Sequence, residues 1–178
     1  MRLSRTVVLV GMMGAGKTAV GTHLARLLNV PFVDCDDAIE AAANRSIAEI
    51  FARDGEAFFR AKESQVLARL LAGAPSVLST GGGAFLAPQN REEISRHGVS
   101  VWLKADLDLL WQRVRHKTTR PLLRTPNPRG TLKTLLEARS PTYALADIEV
   151  EARSDYSIDD MARRVMAALA EHGGVLEE

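Results

Sequence analysis

The stretch "VVLVGMMGAGKTAVG", residues 7–21, constrains this chain more than any other part of it. Four apolar, mostly β-branched residues run into a glycine-rich turn, then Lys17 and Thr18, then a helical pattern with Val20, Leu24, Leu27 and Leu28 on one face. A mobile loop is the simplest reading of glycines after a strand. The spacing G-x-x-x-x-G-K-[ST] asks for more. Glycines let backbone N–H groups curl around a polyphosphate, a lysine at that offset neutralises its outer charge, and the hydroxyl of Ser or Thr suits Mg²⁺. Gly14, Ala15, Gly16, Lys17, Thr18 and Ala19 are therefore expected to bind nucleotide phosphates, with Thr18 a metal ligand.

Further strand signals follow at 31–34, 76–80, 99–103 and 147–151. Helical periodicity fills 17–28, 37–43, 46–53, 56–72, 88–96, 106–114, 131–144 and 158–170. Strands alternating with helices imply a five-stranded parallel sheet covered on both faces, a three-layer α/β/α domain spanning residues 1–178. The closing "GGVLEE" reads as a fraying tail. At 46% hydrophobic residues a real core is within reach, and a formal net charge of +1 gives no global field for nucleic acid or a membrane. The single Cys35 suits a reducing cytoplasm, the N-terminal apolar run is too short for a signal peptide, and no stretch is long enough to span a bilayer. His23, His97, His116 and His172 have no metal-ligand spacing.

In such a sheet, ligands bind beyond the carboxyl ends of the strands. After the second strand comes "DCDD". Asp34 and Asp36, two apart in an extended segment, would point the same way, one supporting a metal and the other engaging an acceptor hydroxyl. Alternatively Asp36 or Asp37 caps the following helix. After the third strand, Gly81, Gly82 and Gly83 imply close approach of backbone to some other group, or else a loose loop. Residues 109–136 hold no acid but carry Arg113, Arg115, Lys117, Arg120, Arg124, Arg129 and Lys133 around a proline-rich stretch. That pattern fits a lid over polyphosphate or simply a solvated face. Arg60, with Glu56 one turn before it, and Arg139, just before Pro141, each read equally as surface residues.

Taken together, "GMMGAGKT", the Asp34–Asp36 pair, "GEAFFRAKE" followed by "VLSTGGGAF", "RPLL" at 120–123 and "LLEARSPTY" resemble the shikimate kinases, small P-loop enzymes of the nucleoside monophosphate kinase type. The resemblance implies ATP-dependent phosphorylation of the 3-hydroxyl of shikimate by a monomer with a lid near 113–130 and an acceptor-binding region near 34–62. It implies Mg²⁺ held by Thr18 and, through water, by Asp34, with Asp36 as base and Lys17 and Arg120 at the phosphates. Arg60, Arg139 and the glycine run 81–83 would hold the shikimate carboxylate, with Glu63 orienting Arg60, and Arg113 and Arg153 would flank adenine. Two features depart from the family pattern: Cys35 stands where Ser or Thr is usual, and "RTPNPRG" (124–130) is an extra run. A kinase for another small acid such as gluconate, and a silent P-loop binding module, remain as alternatives.

Overall fold

A computed structural model describes residues 1–116 and 124–178. Five parallel strands, β2 (Thr6–Val10), β3 (Phe32–Asp34), β4 (Val77–Ser79), β5 (Gly98–Lys104) and β6 (Ile148–Glu151), form a sheet of order β3-β4-β2-β5-β6. The apolar run 7–10 forces the centre: every residue of β2 is buried, paired in register with Val77–Ser79 on one side and Gly98–Trp102 on the other. The chain winds to one side of β2 as far as β4, then crosses to β5. That reversal opens a crevice at the carboxyl ends of the central strands.

Helices cover both faces: α1 (Lys17–Leu28), α2 (Cys35–Ala43), α3 (Ile47–Leu71), α4 (Pro88–His97), α5 (Leu107–Val114), α6 (Pro128–Tyr143) and α7 (Ile158–His172), with a short 3₁₀ turn at Ala84–Leu86. The break expected between 53 and 56 is a kink in α3, where Gly55 takes φ 86° and ψ 174°. Among the described residues no helix is long and apolar enough to cross a membrane.

Three boundaries differ from the expected ones. The tail does not fray: Leu176–Glu177 (β7) pairs antiparallel with Arg2–Leu3 (β1), and Val175 is buried in the core. Gly173 and Gly174, both at positive φ, turn the chain back, and two-residue strands carry no periodicity to betray them. α2 starts at Cys35 because the Asp34 side chain accepts from Asp37 N (3.1 Å), so Asp34 is the cap and Asp36 lies on the first helical turn, not in an extended segment. α6 starts at Pro128, inside the expected lid. Asn127 caps it through Gly130 N, and proline at the first helical position is already set for a helix.

Candidate active site

The loop between β2 and α1 is shaped by positive-φ glycines: Gly11 (144°), Gly14 (83°) and Gly16 (96°). Space is as restrictive as conformation, since a Cβ on Gly14 would sit 2.7 Å from Val114 Cγ1. Gly16 caps α1 without a side chain, and the first turn of α1 carries no acid. By contrast α2, α3, α5, α6 and α7 each have a side-chain cap. The leading amides of α1, with the positive end of its dipole, thus face an open cavity, which is how backbone receives a phosphate.

That cavity is about 600 Å³. Gly14, Ala15, Gly16, Lys17, Thr18 and Ala19 form its floor, Asp34 and Asp36 one wall, Ser79–Gly82 the far end, and Arg113, Tyr156, Ser157, Ile158 and Met161 the side by α7. Lys17 Nζ donates to Gly11 O (2.5 Å) and Met12 O (3.1 Å), lying across the loop. Arg113 Nη1 donates to Gly14 O (3.0 Å), and burial pulls its pKa below the usual guanidinium value. Burial raises the Asp36 carboxyl above the ordinary carboxylate range; Asp34 pushes the same way and Lys17 opposes. Hydroxyl and carboxylate oxygens around one lysine are hard donors that suit Mg²⁺, which keeps most of its waters. Among the described residues no cluster of three His, Cys, Asp or Glu offers a full protein cage.

The three glycines after β4 have a distinct neighbour each. A Cβ on Gly81 would lie 2.9 Å from Asp36 Oδ1, one on Gly82 2.8 Å from Arg139 Nη1, and one on Gly83 2.5 Å from Arg60 Nη2. Consecutive Cα atoms are about 3.8 Å apart. One short run of bare backbone therefore gathers a carboxylate and two guanidinium groups from α2, α6 and α3. Arg60 and Arg139 border the glycines just beyond the cavity wall. Arg60 Nη1 donates to Glu63 (2.9 Å), a carboxylate only 3% exposed, so the expected orienting contact is present. Burial raises the Glu63 pKa above the ordinary value, while its hydrogen bond with Arg60 lowers it. Glu56 stands 3.7 Å from Arg60 Nε on the exposed side.

The glycine run is itself fastened at both ends. Thr80 Oγ1 donates to Leu9 O (2.9 Å), tying it to the central strand, and buried Asn90 donates from Nδ2 to Ala84 O (2.9 Å). Sequence reasoning missed both residues, as it missed Tyr156 on the cavity wall. A buried polar side chain next to a glycine run is the one signal that could have found Thr80.

The chain as a whole matches known proteins along nearly its full length. The family model for shikimate kinase covers residues 13–170. A shikimate kinase of Cereibacter sphaeroides is 70% identical over 176 residues, 99% of this chain and 88% of the relative. The chain belongs to the shikimate kinase family. The shikimate kinase of Ruegeria pomeroyi is 67% identical, covering 98% of this chain and 90% of the relative. A solved structure of shikimate kinase from Acinetobacter baumannii in complex with shikimate superposes with a TM-score of 0.85. It is 39% identical, covering 91% of this chain and 90% of that one.

Of the residues the shikimate kinase resemblance singles out, the loop, Asp34, Asp36, Arg113 and the first two glycines meet in one cavity, with Arg60 and Arg139 at its edge. Arg153 is not on that wall: it is 56% exposed, near Glu151 (3.7 Å) and stacked toward Tyr156 (5.8 Å). Arg120 and the rest of "RPLL" lie outside the described residues. Arg129 and Lys133 pair with Asp108 and Glu137 on the exposed surface, which is the solvated-face reading for those two.

Proposed function

We propose that this chain is an ATP-dependent shikimate kinase, moving the γ-phosphoryl of ATP to the 3-hydroxyl of shikimate. One observation carries the acceptor side: Gly81, Gly82 and Gly83 each meet one charged group, Asp36, Arg139 and Arg60, next to a phosphate-binding loop. Two guanidinium forks suit a small carboxylic acid, and a carboxylate beside them suits its hydroxyls.

In this reading the loop amides and Lys17 hold the β- and γ-phosphates, and Arg113 stands on the nucleotide side. Thr18 and, through water, Asp34 would hold Mg²⁺, which when bound neutralises phosphate charge. Arg60 and Arg139 orient the acceptor acid so that its 3-hydroxyl faces the γ-phosphorus in line with the leaving oxygen of ADP. Asp36 takes the hydroxyl proton as the new O–P bond forms and the bond to ADP breaks. Its raised pKa suits a proton acceptor better than an ordinary surface carboxylate would. Arg120 is assigned to the phosphates and Arg153 to the adenine side by resemblance alone. The whole chain acts as one kinase domain, with a lid near 113–130 and an acceptor region near 34–62, as a cytoplasmic monomer.

A coupled assay of ADP release tests this with shikimate, with gluconate and with no acceptor. Release that depends on shikimate, is absent with gluconate and is lost in a folded Lys17→Ala variant is the expected result. Faster release with gluconate would favour the other acid kinase, and none with any acceptor would favour a binding module.

A further inference from the structure

Tyr143 is fully buried at the end of α6, with no role so far assigned to it. Its hydroxyl donates to Gly82 O (2.5 Å), and the Arg139 guanidinium, one helical turn before it, stands at the same glycine: a Cβ on Gly82 would lie 2.8 Å from Arg139 Nη1 and 3.8 Å from the Tyr143 hydroxyl. A phenol has one donor and two acceptor sites, so a single oxygen can tie the middle glycine's carbonyl to the arginine that faces the same glycine. Its ring is held by the core, 6.0 Å from the Trp102 ring, which leaves the hydroxyl little freedom.

The two acid-facing arginines are held differently. Arg60 is fastened by the buried carboxylate of Glu63, which offsets much of its charge. Arg139 stands at Gly82 beside a neutral phenol and, among the described residues, forms no ion pair with a carboxylate. A neutral anchor fixes the direction of a guanidinium and leaves its whole charge for an incoming anion.

We infer that Tyr143 is a positioning residue for the acceptor's carboxylate, aligning Arg139 with the Gly82 backbone without neutralising it. This rests on the reading of the acceptor as shikimate. Removing the hydroxyl alone, in Tyr143→Phe, keeps the ring in the core and frees Arg139 to rotate. The KM for shikimate then rises about tenfold, the size of one lost charge-assisted hydrogen bond, while kcat and the KM for ATP stay within about twofold.

The decisive comparison uses two acceptors, shikimate and its primary amide, which lacks the negative charge. Tyr143→Phe is expected to lose efficiency toward the acid and to match the wild type toward the amide, with a melting temperature within a few degrees. Adding it to Arg139→Ala is expected to cost nothing more. An unchanged KM for shikimate, an equal loss on acid and amide, or an additive loss in the double variant would overturn the inference alone. A wild-type protein that does not phosphorylate shikimate would overturn the functional reading, and the inference with it.

Discussion

Replacing Gly83 by alanine should separate stability from acceptor binding. Gly83 has φ −95° and ψ −10°, which alanine adopts without strain, so the backbone does not resist the change. The new methyl would lie 2.5 Å from Arg60 Nη2, about 0.9 Å short of the 3.4 Å at which ordinary contact begins. The obstructing atoms are the far end of a flexible side chain, so the guanidinium moves and the fold stays. That retreat draws one fork of the proposed carboxylate site out of place. A charge-assisted hydrogen bond contributes about 1.5–3 kcal/mol, or roughly 10- to 150-fold in affinity. Stability should change by only about 1 kcal/mol, because the gain from a less flexible unfolded chain offsets some loosening of the Arg60–Glu63 pair. Isothermal titration with shikimate, ATP titration and thermal melts on the same preparation provide the three readings. An alanine variant that binds shikimate as tightly as the wild type would refute the idea that Arg60 must sit against this glycine.

Gly81→Ala presses instead on Asp36 Oδ1, 2.9 Å from the added methyl, so steady-state kinetics should show its loss mainly in kcat rather than in the KM for shikimate. Gly14→Ala combines φ +83° with a methyl 2.7 Å from Val114 Cγ1; a loss of about 1–3 kcal/mol in chemical denaturation, together with weaker nucleotide binding, is expected. As the proposed base Asp36 must be ionised to take a proton, and its pKa is raised, so kcat/KM should fall as pH drops through a value above the ordinary carboxylate range of about 3.9. An acid limb at the ordinary value would contradict this. The sign for stability is the reverse: an acid whose folded pKa is raised loses its contribution as pH rises through that pKa. Asp36→Asn should therefore melt higher than the wild type at neutral pH while losing turnover, as differential scanning calorimetry and the coupled assay would show.

Much of this arrangement was legible because it is local. Four buried residues at 7–10 announce a central strand, and the lysine six residues after Gly11 announces the phosphate loop. The glycine run announced a close approach, and the resemblance, not any local pattern, put Arg60 and Arg139 beside it; Asp36, Arg60 and Arg139 come from three other helices, and only the fold brings them together. The helix starts at Cys35 and Pro128 were missed because the residue just before each, Asp34 or Asn127, caps the helix by accepting from the amide three residues on. That outweighs the extended reading of the first segment and the proline-rich reading of the second. The roles of Thr80 and Tyr143 were missed for a simpler reason: their partners, Leu9 and Gly82, are 71 and 61 residues distant.

The same geometry explains why the end of the cavity proposed for the acceptor is built from glycines instead of a more ordinary loop. A side chain at any of positions 81–83 would hold its charged neighbour away from the backbone by the thickness of a methyl group. The pocket for a ring only a few ångströms across would then be shifted by a comparable distance. Bare backbone lets α2, α3 and α6 deliver long side chains to one point, while Thr80 and Asn90 keep the run from moving. Glycine's conformational freedom, a cost to folding, is thus offset by hydrogen bonds outside the run. The closeness it permits is what the acceptor acid would use.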